Sequence, residues 1–319
     1  MASIEHPEFG WNPAEFSIAV SPIEAVAVAI VNPNNKVLLM KRAGVDGGDW
    51  VYPGGSVDEG ESFDTAARRE ALEEAGIILD NNRNQLFPLA NYITAPDTFG
   101  KRHDLLVYVT HYDSDQSEPR VASSTEMTDW GWFDPQIVLD DTIAGRMKIL
   151  QSGLFAIQRV KEYLSQEKTH PYGEVLMGGT FDRLHDGHKQ LLQKAFEVGD
   201  YVYIGLTTDE YIKRSSKQLK ELVTPHKERL YYLREYLYGQ NVLHRAIILP
   251  LSDTAGPKAL DPKLEALIIS EETQTGGDYV NNFRIQHNVP QIEIVMIPLF
   301  TDKEGQVISS TRLRQQGTN

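Results

Sequence analysis

The chain has 319 residues and a formal net charge of −14, and its 41% hydrophobic and 24% charged residues are ordinary for a globular protein. The acidic balance argues against a broad nucleic-acid-binding surface, and the lack of cysteine excludes disulfides, cysteine-ligated zinc and a thiol nucleophile. No apolar run approaches the ~20 residues of a membrane span, and the N-terminus lacks the pattern of a secretory signal. We therefore expect a cytoplasmic protein that binds neither membrane nor nucleic acid.

The length and the pattern of elements predict two α/β domains. In the first half, short apolar runs bounded by turns predict strands, and good helix formers that end at a glycine predict a helix. A later apolar periodicity predicts a helix that closes the domain. The predicted strands are 25–30, 37–40, 50–52, 105–109 and 130–133, and the predicted helices are 62–75 and 143–164.

A polar stretch with a proline, residues 165–173, is typical of a linker. We therefore expect one domain at residues 1–166, a second at residues 173–319, and a linker at residues 167–172. In the second domain strands alternate with helices, which predicts parallel βαβ units with ligands at the carboxyl ends of the strands. The predicted strands are 175–177, 201–206, 242–249, 267–269 and 292–298, and the predicted helices are 189–198 and 227–236.

Three glutamates, Glu70, Glu73 and Glu74, share one face of the first predicted helix, because residues three and four apart are neighbours on a helix. Carboxylates this close repel one another unless a cation joins them, and Mg²⁺ prefers such oxygen ligands. The glycines before the helix allow a sharp turn that brings backbone carbonyls to the same point. A glutamate face alone is more often simply solvated, so the surrounding residues must decide between the two interpretations.

Those surroundings resemble the Nudix box: Gly55 is followed after five residues by Glu61, and after seven more by the segment Arg69–Ile77. The resemblance covers about residues 20–165 and implies an α/β/α sandwich with a mixed sheet. It implies hydrolysis of a nucleoside diphosphate derivative with Mg²⁺, or alternatively Mn²⁺. The implied metal ligands are Glu70, Glu73, Glu74 and the Gly55 carbonyl, with Glu73 also catalytic and with Glu61 and Arg69 structural.

Substrate choice in this family lies outside the box. Tyr92, His103 and Asp104 are candidate pocket residues, and ordinary strand or loop positions are an equally good interpretation of them.

A second motif, residues 178–188, places two histidines on either side of a glycine, directly after a predicted strand. Its two leading glycines let the backbone approach a phosphate, and the helix that begins near Gly187 directs its N-terminal amides to the same place. His185 and His188 add imidazole donors. A single histidine here would indicate a packed residue, whereas this combination indicates nucleotide binding.

Two further features are consistent with phosphate binding. Ser309, Ser310 and Thr311 precede a helix-like stretch with Arg314, and their pairing with the histidine motif favours a phosphate site over a plain N-cap. Six basic residues also lie within the seventeen residues 213–229. A basic run by itself is usually a solvated helix face.

Together these motifs resemble the HxGH nucleotidyltransferases, and the similarity is closer to the phosphopantetheine adenylyltransferases of the archaeal and eukaryotic type. Residues 205–210 and 261–273 extend the similarity, which runs from about Gly173 to the end. It implies a Rossmann-like, doubly wound parallel sheet. It also implies transfer of AMP from ATP to 4′-phosphopantetheine, which yields dephospho-CoA and pyrophosphate.

The same resemblance implies roles for individual residues. His185 and His188 would contact the ATP phosphates, and Thr180 would orient the attacking phosphate. Lys217 is the cation expected between the substrate and the α-phosphate, with Lys213 as its rival. The other residues expected to bind ATP or substrate are Gly179, Phe181, Arg229, Ser309, Ser310, Thr311 and Arg314.

Two alternatives stay open. Nicotinamide-nucleotide adenylyltransferases share the histidine motif and occur fused to Nudix domains, in which case the first domain would be an ADP-ribose pyrophosphatase. Their first loop typically reads Gly-Arg-Phe-x-Pro, whereas residues 179–182 read Gly-Thr-Phe-Asp. The other alternative is a Nudix domain that senses a nucleotide without cutting it.

Overall fold

The computed structural model describes residues 22–43, 48–94, 100–113, 117–165, 167–301, 306 and 308–315. Over these residues the chain divides into two compact units, the N-terminal unit and the C-terminal unit, with the division at residues 166/167. The expected outer limits at residues 1 and 319 lie outside the described residues, so the predicted domain limits stay predictions. None of the described helices has the length and hydrophobicity needed to cross a membrane.

The N-terminal unit is a mixed sheet with helices. Its strands are β1 (Ile23–Val31), β2 (Val37–Arg42), β3 (Trp50–Val51), β4 (Gly54–Ser56), β5 (Phe87–Ile93), β6 (His103–His111) and β7 (Met127–Phe133). Its helices are α1 (Phe63–Ala75), α2 (Pro135–Ile143) and α3 (Gln151–Ser165). The sheet order is β3-β2-β1-β6-β5, with β4 paired to β1 and β7 to β2.

Helices cover both faces of this sheet. Strand β1 runs parallel to β6 and antiparallel to β2 and β4. Alternate residues of β1, namely Ala27, Ala29 and Val31, join a core that includes residues of α2 and α3. The residues between them are also buried, and α1 packs against β1. The predicted α/β/α arrangement with a mixed sheet is therefore confirmed.

Capping residues set the ends of α1. The Ser62 side chain accepts a hydrogen bond from the Thr65 N–H at the N-terminus. Gly76 ends the helix with φ of 65°, a left-handed conformation that glycine adopts at little cost. These caps explain why the prediction for α1 was correct within one residue.

The C-terminal unit is a parallel sheet with helices. Its strands are β8 (Tyr172–Gly179), β9 (Gly199–Thr207), β10 (Ala246–Leu251), β11 (Ala266–Ser270) and β12 (Glu293–Ile297). Its helices are α4 (Asp186–Val198), α5 (Asp209–Arg214), α6 (His226–Gly239), α7 (Gln274–Gln286) and α8 (Ser310–Gln315). The strand predicted at residues 242–249 was placed too early, because Leu243–Arg245 form a 3₁₀ turn before β10.

The sheet order β10-β9-β8-β11-β12 is that of a Rossmann-like fold, and all its pairings are parallel. The order of the strands reverses at β8, because β9 and β10 lie on one side of it and β11 and β12 on the other. In such folds, ligands bind beside the carboxyl ends of the strands at this switch point. The histidine motif follows β8 and therefore lies at that position. The predicted doubly wound parallel sheet is confirmed.

Residues of the predicted linker contact the C-terminal unit. The backbone N–H groups of Thr169 and His170 each donate to Asp200 Oδ1 at 3.0 Å. Lys168 forms an ion pair with Glu265. These contacts place the end of the segment 167–172 within the C-terminal unit.

Candidate nucleotide and metal sites

The loop that leaves β8 has an unusual backbone. Phe181 and Arg183 both have positive φ, 48° and 49°, on either side of Asp182. Left-handed backbone is unfavourable for residues with a Cβ, and it persists where the surrounding structure holds it. The contacts of Asp182 supply that restraint.

Asp182 is completely buried and joins three segments of the C-terminal unit. Its carboxylate accepts hydrogen bonds from Arg314 Nη1 at 2.5 Å and from the Thr224 N–H at 3.1 Å. Its backbone carbonyl accepts from the Ser310 hydroxyl at 2.9 Å. The β8–α4 loop is therefore tied both to helix α8 and to the loop before α6.

His185 and His188 stack at the start of α4, with ring centroids 3.9 Å apart and an interplanar angle of 20°. Gly187 permits this arrangement, because a Cβ there would lie 3.2 Å from the His185 ring. The Ser310 hydroxyl lies 3.3 Å from His185 Nε2 and already donates to the Asp182 carbonyl. It therefore accepts from His185, which assigns the proton to Nε2.

Burial lowers the pKa of both histidines. For His188 the pKa falls well below 6.5, because burial disfavours the charged ring and because His185 and Lys217 add repulsion. Burial likewise lowers the pKa of His185, against the attraction of Asp186 and Asp182. Two neutral rings therefore stack here at neutral pH, and each keeps one N–H donor.

Lys217 comes from the loop after α5 and reaches the same place. Its ammonium donates to the Thr180 hydroxyl oxygen at 2.5 Å, and the Thr207 hydroxyl donates to that oxygen at 3.2 Å. Burial lowers the pKa of Lys217, and the charges of Arg314 and Arg229 lower it further against the attraction of Asp182. Lys213, the rival, lies on α5; both lysines are exposed as whole residues, and it is Lys217 whose ammonium contacts Thr180.

The two predicted phosphate-binding arginines are held by protein groups. Arg229 is 1% exposed and donates to Asp209 Oδ1 and to the Thr180 carbonyl, both at 2.9 Å. Arg314 also donates to the Gln218 carbonyl at 3.3 Å, while its Nε is buried without a partner among the described residues. Their predicted contact with phosphates stays a prediction.

The three hydroxyl residues near the C-terminus do not act alike. Ser309 accepts from the Arg312 N–H at 3.3 Å, as an N-cap of α8 does. Thr311 accepts from Arg314 Nη2 at 3.0 Å, and Ser310 faces His185. Of the three, Ser310 makes the contact that links α8 to the histidine pair.

Together these residues form a site for an anion at the switch point of the sheet. The donors are the neutral His188 imidazole, the Lys217 ammonium and the first amides of α4, while the His185 N–H donates to Ser310. The Phe181 ring packs against Gly179 in the same turn. A Cβ at Gly179 would lie only 2.9 Å from that ring. The arrangement can position phosphate groups and stabilise charge that develops on them.

In the N-terminal unit, the structure places Glu70, Glu73 and Glu74 on α1 as predicted, and Arg69 lies among them. Arg69 Nη1 donates to Glu70 Oε1 at 2.7 Å and to Glu73 Oε2 at 3.2 Å. Its other nitrogens donate to both oxygens of Glu61, at 3.1 and 2.9 Å. The structural role expected for Arg69 and Glu61 agrees with these contacts.

Burial strongly perturbs the carboxyl group of Glu74. It accepts from the Gly54 N–H at 2.9 Å, and burial raises its pKa to about 8 against that hydrogen bond. The neighbouring charges of Glu70 and Glu126 raise this pKa further, so a cation beside these carboxylates would stabilise their ionised forms. Glu126, from the turn before β7, was missed in the sequence because it lies far from the box.

The glycines before α1 make room for the carboxylates. A Cβ at Gly55 would lie 2.4 Å from Glu70 Oε1, and a Cβ at Gly54 would lie 2.3 Å from the Val26 carbonyl oxygen. Oxygen atoms that could ligate a metal therefore lie close to the glycine backbone, and hard divalent cations prefer oxygen ligands. Within the described part of the chain, however, no three acidic or histidine side chains converge as a preformed metal cluster. Glu70 and Glu73 each form a hydrogen bond with Arg69 instead.

A cavity of about 240 Å³ adjoins this end of α1. Gly54, Gly55 and Glu74 line it on the side of α1, and the predicted pocket residues Tyr92 and His103 also line it. Asp104 does not, and accepts instead from Asn91 Nδ2 at 2.9 Å. Tyr52 and Arg42 line the cavity too, and no sequence motif indicated either of them.

Two family models match the chain. Residues 21–152 match the NUDIX domain and residues 176–316 match the cytidylyltransferase-like family. The predicted resemblances of the two halves to Nudix proteins and to HxGH nucleotidyltransferases are therefore confirmed.

Individual proteins match one half at a time. A phosphopantetheine adenylyltransferase of Pyrococcus abyssi is 43% identical over 143 residues, which are 45% of this chain and 89% of that protein. A bifunctional phosphopantetheine adenylyltransferase/NTP phosphatase of Thermoplasma volcanium is 37% identical over 138 residues, 43% of this chain and 40% of that protein. The crystal structure of a MutT NUDIX hydrolase from Burkholderia pseudomallei is 33% identical and covers 37% of this chain and 86% of its own, with a TM-score of 0.32.

Proposed function

This chain belongs to the phosphopantetheine adenylyltransferase family, and we propose that its C-terminal unit transfers AMP from ATP to 4′-phosphopantetheine. The products are dephospho-CoA and pyrophosphate. The observation that carries the assignment of the site is the contact of Lys217 with Thr180, beside two stacked neutral histidines at the switch point.

The proposed reaction needs positioning and charge stabilisation rather than a covalent enzyme intermediate. A phosphate oxygen of phosphopantetheine attacks the α-phosphorus of ATP, and the bond to pyrophosphate breaks. Thr180 orients the attacking phosphate, and Lys217 stabilises the charge shared between that phosphate and the α-phosphate. His188 donates to the phosphates of ATP, and His185 contacts them when its Nε2–H exchanges the Ser310 hydroxyl for a phosphate oxygen. Other proposed binding residues are Gly179, Phe181, Arg229, Ser309, Ser310, Thr311 and Arg314.

A substrate panel tests the reaction. With ATP and Mg²⁺, release of pyrophosphate is measured with 4′-phosphopantetheine and, separately, with nicotinamide mononucleotide. Faster turnover of nicotinamide mononucleotide would overturn the proposal in favour of a nicotinamide-nucleotide adenylyltransferase.

A matched pair of variants tests the lysine assignment. Lys217→Ala should lower kcat by about 10²–10³-fold, as loss of a preorganised charge does, because its ammonium contacts Thr180. Lys213→Ala, on helix α5, should change kcat little. A larger loss in Lys213→Ala would exchange the two assignments.

For the N-terminal unit we propose hydrolysis of a nucleoside diphosphate derivative. Nudix hydrolases generally use divalent cations, and we propose Mg²⁺, with Mn²⁺ as the alternative. Glu70, Glu73, Glu74 and the Gly55 carbonyl would hold it, and it would supply charge neutralisation and a more acidic bound water. The observation that supports this is the crowding of Glu70 against Gly55.

Glu73→Gln tests this second activity, because it removes one charge and keeps the shape. Hydrolysis of adenosine diphosphate conjugates should collapse, while adenylyl transfer survives. Glu59→Gln, an exposed glutamate outside the helix, is the control and should leave both activities unchanged. If the wild type cuts none of these compounds, the sensing alternative is favoured.

We also propose that the two units fold separately, with the boundary at residues 167–172. Because Lys168, Thr169 and His170 contact Asp200 or Glu265, a fragment 167–319 should be more stable than a fragment 173–319. Thermal unfolding of the two fragments measures the difference. Insolubility of both fragments would show that the boundary is wrong.

A further inference from the structure

The cavity of the N-terminal unit contains a hydroxyl group that lacks a protein partner. Tyr52 is 5% exposed, and its hydroxyl oxygen is buried without a hydrogen bond to any part of the chain that the structure describes. Buried polar groups are almost always paired, and an exception calls for an explanation such as a ligand. Since Tyr52 lines the cavity, its occupant is the candidate partner.

The size and the lining of the cavity bear on what that occupant can be. Its volume of about 240 Å³ exceeds the roughly 150 Å³ of an engineered cavity that binds benzene, so a ring system fits. Glu74 and Gly55 line the same cavity as Tyr52 and Tyr92. A molecule bound beside the tyrosines therefore shares the cavity with residues of the carboxylate site.

The lining of the cavity indicates the chemistry of that molecule. Ala27, Leu105 and Ala156 give it apolar walls suited to a flat ring. Arg42 contributes a positive charge on the same cavity, close enough to Glu74 to lower the pKa of that carboxyl. A ring with a hydrogen-bonding edge, joined to an anionic group, matches all of these features.

We propose that Tyr52 determines substrate specificity in the N-terminal unit by hydrogen bonding to the edge of the nucleobase of a nucleoside diphosphate. This inference rests on the proposed hydrolase function, and it adds which part of the substrate the N-terminal unit recognises. A site built around such a hydrogen bond discriminates strongly against bases that cannot make it, because the buried hydroxyl then stays unpaired.

Binding by the whole chain tests the proposal. ADP, GDP, UDP and CDP are titrated calorimetrically, with a metal chelator present, into the wild type and into Tyr52→Phe. Both proteins have the same C-terminal unit, so the difference between the two titrations reports on the cavity. Tyr52→Phe should weaken binding of one or two of the nucleotides about tenfold, as loss of a hydrogen bond worth about 1.4 kcal/mol does, and should leave the others unchanged.

A control separates specificity from folding. Tyr108 is equally buried in the same sheet but does not line the cavity, so Tyr108→Phe should leave all four titrations unchanged. Superimposable titrations of wild type and Tyr52→Phe overturn the proposal, and so does an equal loss for all four bases. If Tyr52→Phe alters the base preference while the wild type hydrolyses none of the compounds, the specificity role stands and the hydrolase proposal fails.

Discussion

Replacing Asp182 with asparagine should destabilise the C-terminal unit strongly. The side chains of Asp182 and Arg314 are 0% and 1% exposed, and asparagine keeps the shape but leaves the arginine without its counter-ion. Removing one partner of a buried ion pair costs about 3–5 kcal/mol. With a urea slope of about 2 kcal/mol per molar, the midpoint of unfolding should fall by about 1.5–2.5 M.

Two probes separate the units in this experiment. All four tryptophans lie before residue 133, so their fluorescence follows the N-terminal half, whereas far-ultraviolet circular dichroism follows both halves. The dichroism transition of the C-terminal unit should shift while the fluorescence transition stays. Asp182→Asn combined with Arg314→Gln should recover part of the loss, because no uncompensated charge remains. An unchanged dichroism midpoint, or a double variant with the summed loss of both single variants, refutes the reasoning.

Three further outcomes are expected. His188→Ala should lower kcat of adenylyl transfer, measured by pyrophosphate release, about 10²-fold or more with little change in unfolding; an unaffected rate would remove His188 from the mechanism. Because the folded-state pKa of His188 lies well below 6.5, the unfolded chain binds more protons below that pH, so the C-terminal unit should lose stability as the pH falls below 6.5. Urea titrations of His188→Gln should show a weaker dependence, and an unchanged slope counts against the burial argument. Glu74 should have the opposite effect, because burial raises its pKa to about 8. With a metal chelator present, the N-terminal unit should lose stability as the pH rises from 4.5 to about 8. Tryptophan fluorescence measures this loss. Glu74→Gln should weaken that decline, while Glu70, whose pKa burial also raises, retains part of it. An unchanged decline would assign it to another group.

Local signals were sufficient for some elements and misleading for others. The helix predicted at residues 143–164 is confirmed from Gln151 onward but began too early, because α2 ends at Ile143 and α3 begins at Gln151. The intervening turn includes Gly145 with φ of 69°. Met147 within it still packs on the core, so the apolar periodicity continues where the helix does not. Burial, rather than helical hydrogen bonding, produced that pattern.

Strand β5 was missed for a different reason. It contains Pro88, and proline is disfavoured inside central strands. However, β5 is an edge strand, where a missing N–H is tolerated, and its register shifts between Pro88 and Ala90. Edge position depends on the order of strands in the sheet, which no local pattern reveals.

The candidate sites show the same limit. The motif residues of the histidine loop and of α1 could be named from spacing alone. The contact of Arg314 with Asp182 joins residues 132 positions apart, and that of Arg229 with Asp209 joins residues 20 apart. Both arginines therefore resembled phosphate ligands in a basic, hydroxyl-rich sequence, while their protein partners emerge only from the fold.

The close contacts of Gly54 and Gly55 bear on how the N-terminal unit can evolve. At position 54 every other amino acid would place a Cβ 2.3 Å from the Val26 backbone carbonyl, which cannot move aside. At position 55 the Cβ would lie 2.4 Å from the Glu70 carboxylate and would displace that side chain from its present place. Elsewhere the cavity is lined by side chains, such as those of Tyr52 and Arg42, that can be exchanged without moving the backbone. We therefore expect divergence toward new substrates to change these side chains rather than the glycines.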